Sequence, residues 1–303
     1  MKKAVRCLIL WTLAVLLFGC GAQGALSPEE SGDPSGSGGT GAPEGDPPAE
    51  VPSPFSTLER GDKYTAVPTL LFRFRSADPA FSVIQGGCYV DGEYLIASVS
   101  TDEAGYQTAR ILRLDPAGNL LEESDPLPLD HANEITYNPK TGSLLVTHCQ
   151  SPDGHYYRYS LVDPKTFEIT KTEDLQWPFF AMAYSPERDQ YASGEWSGGT
   201  LDYWDGELGH IRSEDVREPG SLSQGVFCDG WGVYFVRSAQ NSYPSEFRIY
   251  DWEGNLMKSV PIVWDGNIEP ETLCIIDGTV YVIANDWDQN CGAVYTVTFE
   301  QNP

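Results

Sequence analysis

The stretch HANEITYNPKTGSLLVTH, residues 131–148, carries two of the chain's four histidines, with a glutamate three residues after the first. His131, Asn133, Glu134 and His148 are residue types that ligate metals or move protons. The two histidines lack the i, i+4 spacing of a helical metal pair. A two-histidine zinc site would need the fold to bring them together across an opening, so no metal or cofactor is expected. A second candidate is Asp286-Trp287-Asp288-Gln289-Asn290, which matches the first half of a calcium loop. It lacks the glycine that should follow and the glutamate at the twelfth position, and is expected to be a polar surface loop. Glycoside hydrolysis needs two carboxylates at a defined separation, and Glu134, Glu195, Glu269 and Glu271 are candidates by position. No nucleophile motif or phosphate-binding glycine loop is present, and no Ser/His/Asp arrangement is evident from spacing.

These residues have to be positioned by β-structure. From residue 64 onward there is no long helical periodicity, only short runs rich in Tyr, Val, Ile, Phe and Trp between Asp-Gly, Asn-Pro and Glu-Gly turns. Five segments share one pattern: QGGCYVDGEYLIAS, NEITYNPKTGSLLVTH, FAMAYSPERDQYAS, QGVFCDGWGVYFVRS and ETLCIIDGTVYVIAN. Each reads strand, tight turn, strand. The residues before the turn, Tyr89, Tyr137, Tyr184, Phe227 and Ile275, recur at a period of roughly 40 to 50 residues.

Each of the first four pairs is followed by a second pair built on an Asp-led turn: ARILRLDPAGNLLEES, YYRYSLVDPKTFEITKTED, GTLDYWDGELGHIRSED and SEFRIYDWEGNLMKSV. The fifth copy stops after GAVYTVTF, and the strand it lacks is present at the other end as LLFRFRS, residues 70–76. The expected fold is all-β, a five-bladed β-propeller over residues 64–301 with four-stranded antiparallel blades, the N-terminal strand completing the last. A β-sandwich would predict neither the period nor the truncated copy.

In a propeller the loops leading into each blade's first strand and those leaving its second strand share one face. Leading in are Gln85, Asn133 with Glu134, Phe179 with Phe180, Gln224, and Glu269 with Glu271. Leaving are Ser98, His148, Glu195 with Trp196, Arg237, and Asn285 to Trp287. Of these, Gln85, Asn133, Glu134, His148, Trp196, Gln224, Arg237, Glu271 and Trp287, together with His131, form the candidate ligand site at the mouth of the channel. A solvated rim is the competing expectation, because any propeller channel is wet.

The N-terminus is read separately from the fold. Lys2, Lys3 and Arg6 precede a run that is apolar from residue 7 to 18 except for Thr12, ending Leu17-Phe18-Gly19-Cys20. That ending resembles the lipobox of bacterial lipoproteins, which implies cleavage after residue 19 and lipidation of Cys20. The run is shorter than the roughly 20 apolar residues of a membrane span. Residues 20–58, rich in Gly, Pro and Ser, are expected to be a disordered tether with an r.m.s. reach of about 35 Å. The chain is then anchored by lipid in the cytoplasmic membrane, on its extracytoplasmic face.

With 19 Lys and Arg against 44 Asp and Glu, the net charge is −25, which leaves no basic patch for nucleic acid. Beyond Cys7 and Cys20, the cysteines are Cys88, Cys149, Cys228, Cys274 and Cys291. Their odd number, the lack of CxxC spacing and the apolar strand setting of three of them predict buried thiols rather than a disulfide framework.

Gln85-Gly86 at an early blade, with Asp163-Pro164-Lys165-Thr166-Phe167-Glu168 at a blade end, is similar to the secreted five-bladed propellers of the glutaminyl-peptide cyclotransferase type. Where that family has a glutamate after the strand following the first turn, this chain reads Leu95-Ile96-Ala97-Ser98. The likeness implies the same fold and, as an alternative function, an extracytoplasmic hydrolase or cyclotransferase using mouth carboxylates. The leading expectation is a non-enzymatic module that binds a small molecule, glycan or peptide at the mouth, or a protein partner over its faces.

Overall fold

The structure, a computed structural model, describes residues 52–149, 156–194, 199–217, 221–240 and 242–303. Its strands form five four-stranded antiparallel sheets. Blade one is β2 (Val83–Val90), β3 (Glu93–Thr101), β4 (Gln107–Leu114) and β5 (Leu120–Glu123). Blade two is β6 (Glu134–Asn138), β7 (Ser143–Thr147), β8 (Arg158–Val162) and β9 (Ile169–Asp174). Blade three is β10 (Ala181–Ser185), β11 (Gln190–Gly194), β12 (Thr200–Asp205) and β13 (His210–Asp215). Blade four is β14 (Leu222–Cys228), β15 (Gly232–Ser238), β16 (Glu246–Asp251) and β17 (Leu256–Pro261). Blade five is β18 (Ile268–Ile276), β19 (Thr279–Asp286), β20 (Cys291–Gln301) and, from the other end of the chain, β1 (Tyr64–Phe74).

The ring closes as the truncated fifth repeat requires. β1 runs antiparallel to β20 from Tyr64 opposite Gln301 to Phe74 opposite Gly292, a longer pairing than residues 70–76 alone would make. Inner strands β2, β6, β10, β14 and β18 each abut the next around the axis, and β18 abuts β2. The architecture is a five-bladed β-propeller.

Local sequence explains the outer turns. Asp115 Oδ1 accepts the N–H groups of Ala117 and Asn119, Asp163 Oδ1 those of Lys165 and Thr166, and Asp205 Oδ1 those of Glu207 and Gly209. Asp251 Oδ1 does the same for Asn255. An aspartate that satisfies turn donors with its own side chain sets the turn at the same place in blades one to four.

The core is divided in the same way. Each blade–blade contact holds its own apolar cluster. For example, Leu95, Ala97 and Ile111 of blade one face Ile135, Leu144 and Val146 of blade two. Phe74, Val294 and Cys274 of blade five face Ile84, Ile96 and Leu112 of blade one. The compact unit reaches N-terminal of β1. A short 3₁₀ turn, Pro54–Thr57, buries Phe55 against Tyr234, Phe247 and Phe299, so the docked part includes residues that composition alone placed in the tether. None of the five cysteines of the propeller is in a disulfide among the described residues.

Candidate functional site

Inner strands place side chains at the axis through β-bulges. In β2 the pairing passes from Ile84–Ser98 to Gly87–Ile96, so Gln85 and Gly86 stand opposite Ala97 alone. In β14 Gln224 is the extra residue between Ser223 and Gly225, and in β18 Glu271 is the extra residue between Pro270 and Thr272. A bulge turns a side chain out of the strand's alternation. Three blades thus use the same device to bring a polar residue to the upper end of the channel, where the inner strands begin. Blades two and three carry no bulge there and supply Asn133 and Phe180 from the residues preceding the strand.

Just below this layer Glu134 lies on the axis, 1% exposed. Its Oε1 accepts the N–H of Ile135 at 3.0 Å and its Oε2 the N–H of Val226 in blade four at 2.8 Å. Thr272 Oγ1 of blade five lies 2.8 and 3.0 Å from the two oxygens. The N–H of Gly87 in blade one adds a further bond. One carboxyl group therefore ties four blades. Two glycines make room for it. A Cβ on Gly225 would come within 2.7 Å of Glu134 Oε2 and 2.4 Å of the Glu271 carbonyl, and one on Gly86 within 2.3 Å of the Glu134 Cα. Burial pushes the Glu134 carboxyl up to about 8, against the opposing pull of its hydrogen bonds to Val226, Thr272, Ile135 and Gly87.

The upper layer is a chain of hydrogen bonds. Trp287 Nε1 donates to Glu269 Oε2 at 2.9 Å, and Gln224 Nε2 donates to Glu269 Oε1 and Ser238 Oγ, each at 3.0 Å. Asn133 Nδ2 reaches from blade two to the Gln224 carbonyl of blade four at 3.0 Å. Asn285 Nδ2 donates to Glu271 Oε1 at 2.7 Å, and the same side chain bonds both the N–H and the carbonyl of Ile84, next to Gln85. Burial raises the Glu271 carboxyl well above its ordinary range, reinforced by the negative charge of Glu269. Burial raises Glu269 too. Among the described residues, two buried acceptors, Gln85 Oε1 and Asn133 Oδ1, have no donor.

Gln85, Asn133, Glu134, Gln224, Glu271 and Trp287 are thus gathered at the upper end of the channel. Arg237 is turned away, its guanidinium donating to the Ser221 carbonyl and facing Glu246. Trp196, Glu195 and Cys20 lie outside the described residues. Glu269 and Asn285, mouth positions by topology, join the site as hydrogen-bond partners, and Thr272 is the partner that only the assembled ring identifies. The Gln-Gly pair recurring in blades one and four was the sequence signal for the bulges.

The two histidines do not pair with each other. His148 Nδ1 lies 3.1 Å from Asp130 Oδ2 and its Nε2 lies 2.8 Å from Ser160 Oγ, which in turn contacts Thr172 Oγ1 at 2.7 Å. The distances match an Asp-His-Ser relay, but Ser160 is 0% exposed, its side chain enclosed within the blade. His131 Nδ1 contacts Gln107 Oε1 at 3.1 Å, and burial holds its imidazole down at about 4 despite nearby Asp130. In the loop after β19, Asp286 takes Arg73 and the N–H of Gln289, and Asp288 takes the N–H of Asn267. Among the described residues no three His, Cys, Asp or Glu side chains gather as a metal site. Nor is any helix there long and apolar enough to cross a membrane.

The lower half of the channel, toward the turns that follow the inner strands, is a cavity of about 440 Å³. Its walls include Cys88, Tyr89, Tyr137, Tyr184, Phe227 and Cys274. The residues before the inner turns, aromatic in blades one to four and Ile275 in blade five, all line this wall.

No family model matches the chain, and no curated protein matches it. Among solved structures, the tail fiber of Staphylococcus aureus phage P68 is similar with a TM-score of 0.55 at 13% identity, over 77% of this chain and 52% of that one. The chain thus spans about half the length of the tail-fiber chain, and at that identity the likeness is one of fold. Kuenenia stuttgartiensis hydrazine synthase aligns at 14% identity with a TM-score of 0.42, over 69% of this chain and 57% of that one. Neither is a glutaminyl-peptide cyclotransferase.

Proposed function

We propose that the chain is a lipid-anchored, extracytoplasmic propeller that binds a ligand at the upper end of its channel. The observation that carries the binding reading is the pair of buried acceptors, Gln85 Oε1 and Asn133 Oδ1, that find no donor among the described residues, at the same end of the channel as Glu271. Native interiors rarely leave such atoms unpaired, and a convergent set of them is what a bound polar group would satisfy. Trp287, held at the rim by Glu269, adds apolar surface suited to a sugar ring or a peptide side chain. The anchoring half of the reading rests on the lipobox-like Leu17-Phe18-Gly19-Cys20.

A screen of the full-length chain against glycans and peptides tests it. Saturable binding without turnover is expected, weakened about ten- to a hundredfold by Glu271→Gln through loss of a charge-assisted hydrogen bond. Trp287→Ala should also weaken it. Glu122→Gln is the control, because Glu122 only pairs with Arg113 on an outer strand. Equal weakening by the control, or a ligand mapped to a blade's side, overturns the binding reading. Retention of Cys20→Ala in washed membranes as firmly as the native chain overturns the anchor.

An enzymatic reading, hydrolase or cyclotransferase-like, is favoured by one observation. The Glu271 carboxyl, raised by burial and by the charge of Glu269, is the kind of perturbed group that serves as a general acid or base. Turnover of any screened peptide or glycan, lost in Glu271→Gln, would select it.

A further inference from the structure

We propose that the ligand presents a primary ammonium group, whose three N–H donors are taken by Gln85 Oε1, Asn133 Oδ1 and the Glu271 carboxylate. This deepens the binding reading above and rests on it.

The argument is one of donors and charge. Gln85 is 4% exposed and Asn133 2%, and the oxygen of each side-chain amide is sealed from solvent without a partner. Turning the Asn133 amide over does not help, because its Nδ2 is already needed by the Gln224 carbonyl and the flip would set oxygen against oxygen. Glu271 receives one donor, from Asn285. The charged groups acting on it are Glu269 and Glu134, both acids. Arg237, the basic residue leaving β15, is committed to Ser221 and Glu246. Among the described residues, two acceptors of the upper channel are left without a donor, and no Lys or Arg is paired with Glu134, Glu269 or Glu271.

Three kinds of occupant would supply donors or charge. A water satisfies two acceptors but brings no charge. A metal ion brings charge, but no trio of ligating side chains gathers among the described residues. An alkylammonium brings both, with three donors on one atom and a single positive charge. Its carbon skeleton would lie toward the rim, where Trp287 is 38% exposed.

The test is thermal unfolding of the full-length chain in detergent, with methylammonium chloride or tetramethylammonium chloride at equal concentration and ionic strength. The second cation has the same charge and no N–H. Methylammonium is expected to raise the melting temperature by about 2 to 4 °C over tetramethylammonium at a few times its dissociation constant. Gln85→Met should abolish that increment without lowering the amine-free melting temperature, because its Oε1 has no donor to lose. Glu271→Gln should abolish it too.

Equal melting in the two salts overturns the proposal, as does an increment that survives both substitutions. A larger increment from calcium chloride at matched ionic strength also overturns it, in favour of a metal site. A screened ligand weakened by Glu271→Gln and Trp287→Ala, in a protein indifferent to methylammonium, sinks the ammonium alone and leaves the binding reading standing.

Discussion

Glu134 Oε2 accepts the N–H of Val226 at 2.8 Å across the propeller axis, from blade two to blade four, while Oε1 of the same carboxyl accepts the N–H of Ile135. Both donors are backbone groups that cannot reverse their role. The acid form can keep both bonds by sending its proton to Thr272 Oγ1, which lies within 3.0 Å of either oxygen. An amide cannot, since its NH₂ accepts nothing.

Glu134→Gln should therefore destabilise the fold in spite of its shape. One of the two N–H groups is left facing an NH₂ in a buried site, at about 1 to 3 kcal/mol for the unmet group. Urea unfolding of the variant and the native chain reads this directly. A midpoint unchanged within error would show that Glu134 is dispensable at the axis.

The buried carboxyls also set a direction for pH. Glu134 is raised from 4.5 to about 8, and Glu271 and Glu269 are raised as well, so the folded state holds protons that the unfolded state has released. The stabilisation from these groups is complete below about 4.5 and declines as pH climbs towards 8. Overall negative charge produces a slope of the same sign, so the informative measurement is a difference. Between pH 5 and 8 the fall in melting temperature should be smaller in Glu271→Gln than in the native chain. Parallel slopes would assign the whole effect to net charge.

Ring closure depends on both ends of the compact unit. Phe55 stacks on Tyr234 with ring centroids 4.6 Å apart and touches Phe247 and Phe299, so Phe55→Ala should cost about 3 kcal/mol. Deleting β1 exposes the length of β20 and should give aggregation instead of a cooperative transition. Calorimetry with light scattering separates the two. A β1 deletion that melts cooperatively at the native temperature would contradict the closure.

The Asp130–His148–Ser160 chain should be chemically silent. Ser160 is sealed between strands, so a fluorophosphonate probe is expected to leave the folded chain unlabelled. Ser160→Ala should instead cost about 1 to 2 kcal/mol, because His148 Nε2 and Thr172 Oγ1 lose their common partner. Stoichiometric labelling at Ser160 would show an access path that the packed blade does not provide.

Architecture was legible in the sequence because it is written in local, repeated signals. Alternating apolar residues fix each strand's faces, and Asp115, Asp163, Asp205 and Asp251 close the outer turns with their own side chains. The truncated fifth repeat pointed to the strand exchange that β1 and β20 make. The convergence of Gln85, Asn133, Gln224 and Glu271 followed from topology alone. What each residue does there did not, because Glu134 meets Val226 from 92 positions away and Thr272 from 138. Such partners share no local pattern. Only closure of the ring brings their strands within hydrogen-bonding distance, and only the resulting loss of water makes Glu134 a structural tie while leaving Gln85 and Asn133 with acceptors to fill.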